Sequence, residues 1–134
     1  MKNKMTRINV IPVCELSDQH LIAEYRELPR VLKQDINITN APEKYCLGKG
    51  HMKWAKRYSL FTRARYGELC REMLWRGFNV NYYTDTFDTS LYKYFYNPTL
   101  EDIELNRQRI REKYNMKPNW YRWTKRTKPE WLDD

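Results

Sequence analysis

The sequence predicts a mainly α, compact single domain with three principal helices and long ordered loops. Three observations carry that expectation. Apolar residues recur at helical spacing in three separate stretches. Two of those stretches open on a capping residue, Ser17 or Thr99. The segment richest in strand formers, 79–98, alternates only imperfectly. At 134 residues the chain is long enough to bury a core without staples.

Residues 7–16 (RINVIPVCEL) are mildly apolar, and Pro12 argues against both a central strand and a helix interior. They read as an extended arm laid across the body. Ser17 then caps a first helix over 18–33, with Asp18 in its first turn complementing the helix dipole. Leu21, Tyr25, Leu28 and Leu32 recur four, three and four apart and face the core. The opposite face carries Gln19, His20, Ala23, Arg26, Glu27 and Arg30. Pro29 cannot donate to the carbonyl of Tyr25, so a kink is expected there. By position alone, Glu27 reads as a surface ion pair with Arg30, three residues on.

Residues 34–54 hold most of the turn signals, with Asn37, Asn40 and Pro42 close together and Gly48-Lys49-Gly50 following. That triplet is flexible enough to bring backbone N–H groups near a phosphate, but it lacks the spacing of a nucleotide loop. A second helix is predicted over 55–76. Its inward stripe is Tyr58, Thr62, Tyr66, Leu69, Cys70 and Met73; Lys56, Arg57, Arg63, Arg65 and Arg71 fall outside. Gly77 is placed to close it in a left-handed conformation, with Phe78 packing back. The aromatics of 79–98 read as packing over the core, with base stacking as the second possibility. Thr99 caps a third helix over 100–114, with Asp102 in the capping-box position and Leu100, Ile103, Ile110 and Tyr114 as the apolar stripe. The tail 117–128 (KPNWYRWTKRTK) interleaves cations with Trp120, Tyr121 and Trp123, a pattern suited to contacting both backbone and bases.

The 25 Lys and Arg against 17 Asp and Glu give a formal charge of +8. That excess favours a polyanionic partner through counterion release and steering. No apolar run approaches the roughly 20 residues a membrane span needs, so no membrane role is expected. Cys14, Cys46 and Cys70 are odd in number and widely spaced, as reduced cytoplasmic thiols are. Two histidines and three scattered cysteines suggest no metal set, and no cofactor is expected.

Taken together, MTRIN at 5–9, DQHL…AEYRELPRV in the first helix, LGKGH at 47–51, RGFN at 76–79 and PNWYRW at 118–123 carry a resemblance. The chain resembles the pyrimidine dimer DNA glycosylases, small phage and viral repair enzymes typified by the endonuclease V of phage T4. The resemblance implies a DNA glycosylase with abasic-site lyase activity, acting in the host cytoplasm as a monomer on double-stranded DNA that carries ultraviolet photoproducts or abasic sites. In that family the initiating methionine is removed and the exposed threonine α-amine is the nucleophile. Here that residue is Thr6, and the essential carboxylate is Glu27. The resemblance also implies that Arg7, Arg26 and Arg30 hold phosphates and that Gln19 and His20 orient groups on the same polar face. Lys49, Trp120, Tyr121, Arg122, Trp123 and Lys125 complete the expected DNA surface.

Elementary acid–base chemistry agrees with such a nucleophile. A lysine of pKa about 10.4 is neutral in under about one molecule per thousand at pH 7, an α-amine near 7.7–8.0 in roughly one in ten. Nearby arginines lower the amine further by like-charge repulsion.

Three departures stand out. The loop before LGKGH is shorter than in the T4 type, and the tail TKRTKPEWLDD replaces an aromatic-rich ending. The third is MKNK ahead of Met5. Our reading takes Met5 as the true start, residues 1–5 as an extension that is absent or processed away, and 6–134 as the glycosylase-like domain. With the extension retained, Thr6 has only an amide nitrogen. Met1, Lys2 or Lys4 would then supply the amine, or the protein would be a catalytically silent nucleic-acid-binding relative that keeps the fold and basic face.

Overall fold

The computed structural model describes residues 8–81 and 92–134. Its described elements are the helices α1 (Asp18–Lys33), α2 (His51–Arg57), α3 (Ser59–Arg76) and α4 (Leu100–Met116), with 3-10 turns at Val13–Glu15 and Glu130–Asp133. The domain is mainly α, with three long helices as expected and one short one. No strand occurs among the described residues. Half of the 79–98 segment, 82–91, lies outside them, as do Thr6, Arg7 and the 1–5 extension.

The boundaries of α1 follow from its caps. The Ser17 side chain accepts from the His20 N–H at 3.0 Å, and Lys56 Nζ reaches from α2 to the orphan carbonyls of Val31 and Leu32, at 3.3 and 2.8 Å. Pro29 lies inside without ending the helix. Leu21, Tyr25, Leu28 and Leu32 are all buried, as their spacing predicts, and the principal packing is α1 against α3. Shortening a fully buried leucine here, such as Leu69 of α3, costs about 2–5 kcal/mol.

The single helix expected over 55–76 is two. Helix begins earlier, at His51 behind left-handed Gly50 (φ +88°), and breaks at Tyr58, whose φ of −96° and ψ of 52° are not helical. An aromatic cluster sits under the break: Trp54, wholly buried, meets Tyr45, Tyr58, Phe61 and Tyr96 at centroid distances of 4.9 to 5.8 Å. At the other end Gly77 is left-handed (φ +96°), and the Phe78 N–H reaches back to the Met73 carbonyl at 2.9 Å, as predicted.

Two inside–outside assignments are corrected. Arg65, expected outside, is 4 % exposed because Glu24 of α1 receives its guanidinium in the interior, at 2.9 and 3.1 Å. Leu100, expected in the α4 stripe, is 86 % exposed at the first position of the helix, where its spacing from Ile103 does not bring it onto the core. The wholly buried Asn106 stands among the core-facing positions of α4. The capping box at Thr99 and Asp102 is present with both of its hydrogen bonds.

Candidate active site and nucleic-acid interface

The site is assembled around an arm that has no strand partner among the described residues. Ile8, Asn9, Val10 and Ile11 are buried, so each backbone N–H needs an acceptor inside the protein. Side chains from three helices supply them. Ile8 N–H donates to His51 Nε2 at 2.7 Å, and Asn9 N–H to Glu24 Oε2 at 3.2 Å. Val10 and Ile11 N–H both donate to Asn106 Oδ1, at 2.7 and 3.1 Å. His51 Nδ1 lies 2.8 Å from the Cys46 carbonyl, which can only accept. The proton therefore sits on Nδ1, and the ring is neutral where the arm needs an acceptor. The Asn9 side chain also donates to Glu24 Oε1 at 2.7 Å. Glu24, Arg65, Asn9 and Asn106 thus form one buried, mutually satisfied network.

Glu27 stands one turn along α1 from Glu24. Its side chain is 19 % exposed and accepts from Arg30 at 3.4 Å, so the ion pair expected from spacing exists. With an arginine 67 % exposed, such a pair contributes about 0–1 kcal/mol. Glu27 also lines a cavity of 130 Å³ with Asn9, His20, Ala23, Glu24, Ile110 and Lys113. The arm, the polar face of α1 and one face of α4 therefore converge on this carboxylate. That convergence admits a role beyond the ion pair.

Arg26 and Arg30 face the other flank of α1. Both are exposed, and with Lys33 they line a 610 Å³ groove closed by Tyr25, Phe78, Asn79 and Asn81. Three cations one turn apart along a groove suit a phosphate backbone. Lys49 is exposed in the turn between left-handed Gly48 and Gly50, beside Lys53. A side chain at position 50 would put its Cβ 2.9 Å from Pro42 Cγ, so the turn requires glycine there.

Gln19 and His20 orient the tail. Gln19 Nε2 donates to the Trp120 carbonyl at 2.9 Å, and its Oε1 accepts from Arg122 N–H at 3.0 Å. His20 stacks on Tyr121 with centroids 4.9 Å apart and planes 8° from parallel. Asp18, expected simply to complement the α1 dipole, anchors more than that. It accepts from Thr124 N–H and hydroxyl and pairs with buried Arg76 at 2.9 Å. These contacts leave Trp120 57 % exposed beside exposed Arg122, whereas Trp123 is half-buried with its Nε1–H on the Glu15 carbonyl at 3.0 Å. Lys125 donates to the Trp75 carbonyl at 3.1 Å and Arg126 lies 4.0 Å over the Trp75 ring. Among the tail residues predicted to contact DNA, Trp120, Arg122 and Lys125 are exposed, the Arg122 guanidinium resting on the Asn119 and Tyr121 carbonyls, while Tyr121 and Trp123 spend much of their contact on the fold.

Sequence reading missed four groups at this site: Asn9, Glu24, Asn106 and Lys113. Asn9 and Glu24 meet where the arm passes α1, and Asn106 and Lys113 come in from α4; no local pattern announces either meeting.

Over residues 5–86 the sequence matches the pyrimidine dimer DNA glycosylase family. The match takes in the arm and α1 to α3, more than half of the chain, and stops before α4 and the tail. The chain belongs to the pyrimidine dimer DNA glycosylase family, whose substrate is DNA carrying ultraviolet lesions.

Proposed function

We propose that the protein is a DNA glycosylase with abasic-site lyase activity, acting through an N-terminal amine at Thr6 with Glu27 as the proton-handling carboxylate. The observation that carries this reading is the shared cavity. Asn9 of the arm and Glu27 of α1 line the same 130 Å³ space. Thr6 precedes Ile8 by two residues, a reach of at most about 7 Å. The family match begins at Met5, which favours Thr6 as the residue after a removable methionine.

The amine nitrogen attacks C1′ of the damaged nucleotide, and the base leaves with the electrons of the glycosidic bond. Opening of the sugar ring gives a cationic imine between nitrogen and C1′. That imine is an electron sink: C2′ loses a proton, a C2′–C3′ double bond forms, and the 3′ phosphate departs by β-elimination. Glu27 carries protons through these steps and stabilises the positive charge at C1′, as carboxylates do at oxocarbenium-like centres. Arg26, Arg30 and Lys33 in the neighbouring groove hold phosphates, and the lesion's distorted stacking lowers the cost of extrusion.

Borohydride trapping tests the reading. Wild-type protein incubated with abasic-site DNA and borohydride should form a covalent adduct, and mass analysis should place it on the Thr6 amine. Glu27→Gln should lower strand cleavage by at least about 10²-fold with duplex affinity kept. Protein that shifts damaged DNA in a gel yet never forms an adduct would be the silent binding relative instead.

A further inference from the structure

We infer that Asn106 of α4 is a positioning residue for the reaction, fixing the register of the arm that leads to the nucleophile. This rests on the amine reading above and extends it to a helix outside the segment matched to the family. Asn106 is wholly buried, and its Oδ1 receives two consecutive arm amides, Val10 at 2.7 Å and Ile11 at 3.1 Å. Its Nδ2 donates to Asn9 Oδ1 at 2.8 Å. These three bonds define the amide orientation, since a flipped side chain would set donor against donor at both backbone contacts.

The geometry singles out this residue. In a sheet, register is held redundantly by a ladder of backbone bonds. Here four successive amides, Ile8 to Ile11, are held by side chains, and Asn106 holds two of them. Glu24 fixes Asn9 from the α1 side, and Asn106 fixes the same residue from the α4 side. The arm is thereby pinned between the helix that carries Glu27 and the helix that contributes Lys113 to the Glu27 cavity. A slide of the arm by a fraction of a residue would carry the chain ahead of Ile8 with it. Asn106 touches neither substrate nor reacting atoms on this geometry; it acts through the arm.

Single-turnover borohydride trapping on an abasic-site duplex, at saturating DNA and normalised to folded protein, reads this directly. Asn106→Ala should slow trapping about 10- to 100-fold, the scale of a misplaced reacting group, while duplex affinity stays near wild type. Asn106→Asp keeps an acceptor for both amides but turns an oxygen toward Asn9 Oδ1 in place of the donor, so it should recover part of the rate. Wild-type trapping rates in folded Asn106→Ala, or a folded Asn106→Asp as slow as the alanine variant, would overturn the inference. So would trapping and affinity that fall together only as the folded fraction falls. If Asn106→Ala does not fold, hydrogen exchange on the wild type decides. Val10 and Ile11 amides protected as strongly as the α1 core support the role, and fast exchange at both removes it. Wild-type protein that never traps would instead sink the amine reading, leaving the two failures distinct.

Discussion

The arm and the tail are both non-helical segments laid against the same polar face of α1, and they are held in different ways. The arm's backbone amides end on the buried side chains His51, Glu24 and Asn106, inside a network completed by Arg65. The tail is anchored on buried Asp18 and Glu72 through Thr124 and Arg126, but its 120–122 end is held by Gln19 and His20 at the rim, with Trp120 and Arg122 left outward. Buried, fully satisfied polar contacts fix a segment to one geometry, whereas rim contacts leave it room to adjust. On the proposed function, chemistry at the arm needs the first and duplex recognition at the tail the second. The molecule separates precision from adaptability along one helix.

The largest effect should come from breaking the arm's anchor. Glu24→Ala leaves Arg65, 4 % exposed, with an uncompensated charge and Asn9 with unmet donors. A loss of about 3–5 kcal/mol in denaturant unfolding is expected. A loss no larger than that of a rim substitution would erase the distinction between the two segments. On the tail side, Trp120→Ala should leave unfolding nearly unchanged and weaken duplex binding by about 1–3 kcal/mol if the ring stacks on a base. Affinity measured by fluorescence anisotropy checks it, and unchanged binding would assign the exposed ring no role in DNA contact.

The smallest expected effect is on acid stability. Hydrogen bonds from Arg126 and Arg76 outweigh burial and hold the Glu72 carboxyl below its ordinary range. A carboxylate depressed in the folded state stabilises it above the unfolded pKa, and that contribution is lost as pH falls through the folded value. Glu72 ties Arg126 of the tail to α3 at 2.8 and 2.9 Å. Stability should therefore decline below about pH 4.5 less steeply in Glu72→Gln than in wild type. Parallel pH profiles would show that this tail contact contributes nothing to acid stability.

Much of the frame was legible in the sequence because its signals are local. Ser17, the Thr99–Asp102 box and Gly77 mark helix ends through contacts within a few residues, and the α1 stripe follows from periodicity alone. Tyr58 was misread because an aromatic at the right phase looks helical, and the break depends on the ring cluster beneath it. Arg65 and Asn106 were missed for a different reason. A buried arginine is intelligible only with its carboxylate, 41 residues away, and Asn106 only with amides 95 and 96 residues away. Gln19 and His20 were placed on the correct face, but their partners, over a hundred residues on, turned out to be the tail. The family resemblance pointed to Glu27, and the cavity it lines could be seen only once α4 was in place.

The Asn106 contact also has a consequence for the order in which the molecule acquires its shape. Val10 and Asn106 are 96 residues apart, and the loop between them must close before either amide finds its acceptor. α1 and α3 can pair beforehand, since the Glu24–Arg65 bridge spans only 41 residues. During synthesis at about 5–20 residues per second, α4 emerges several seconds after α3 begins to leave the ribosome. Throughout that interval the arm lacks the acceptor for two of its amides, so a nascent chain can carry the paired helices of the fold well before the site is set.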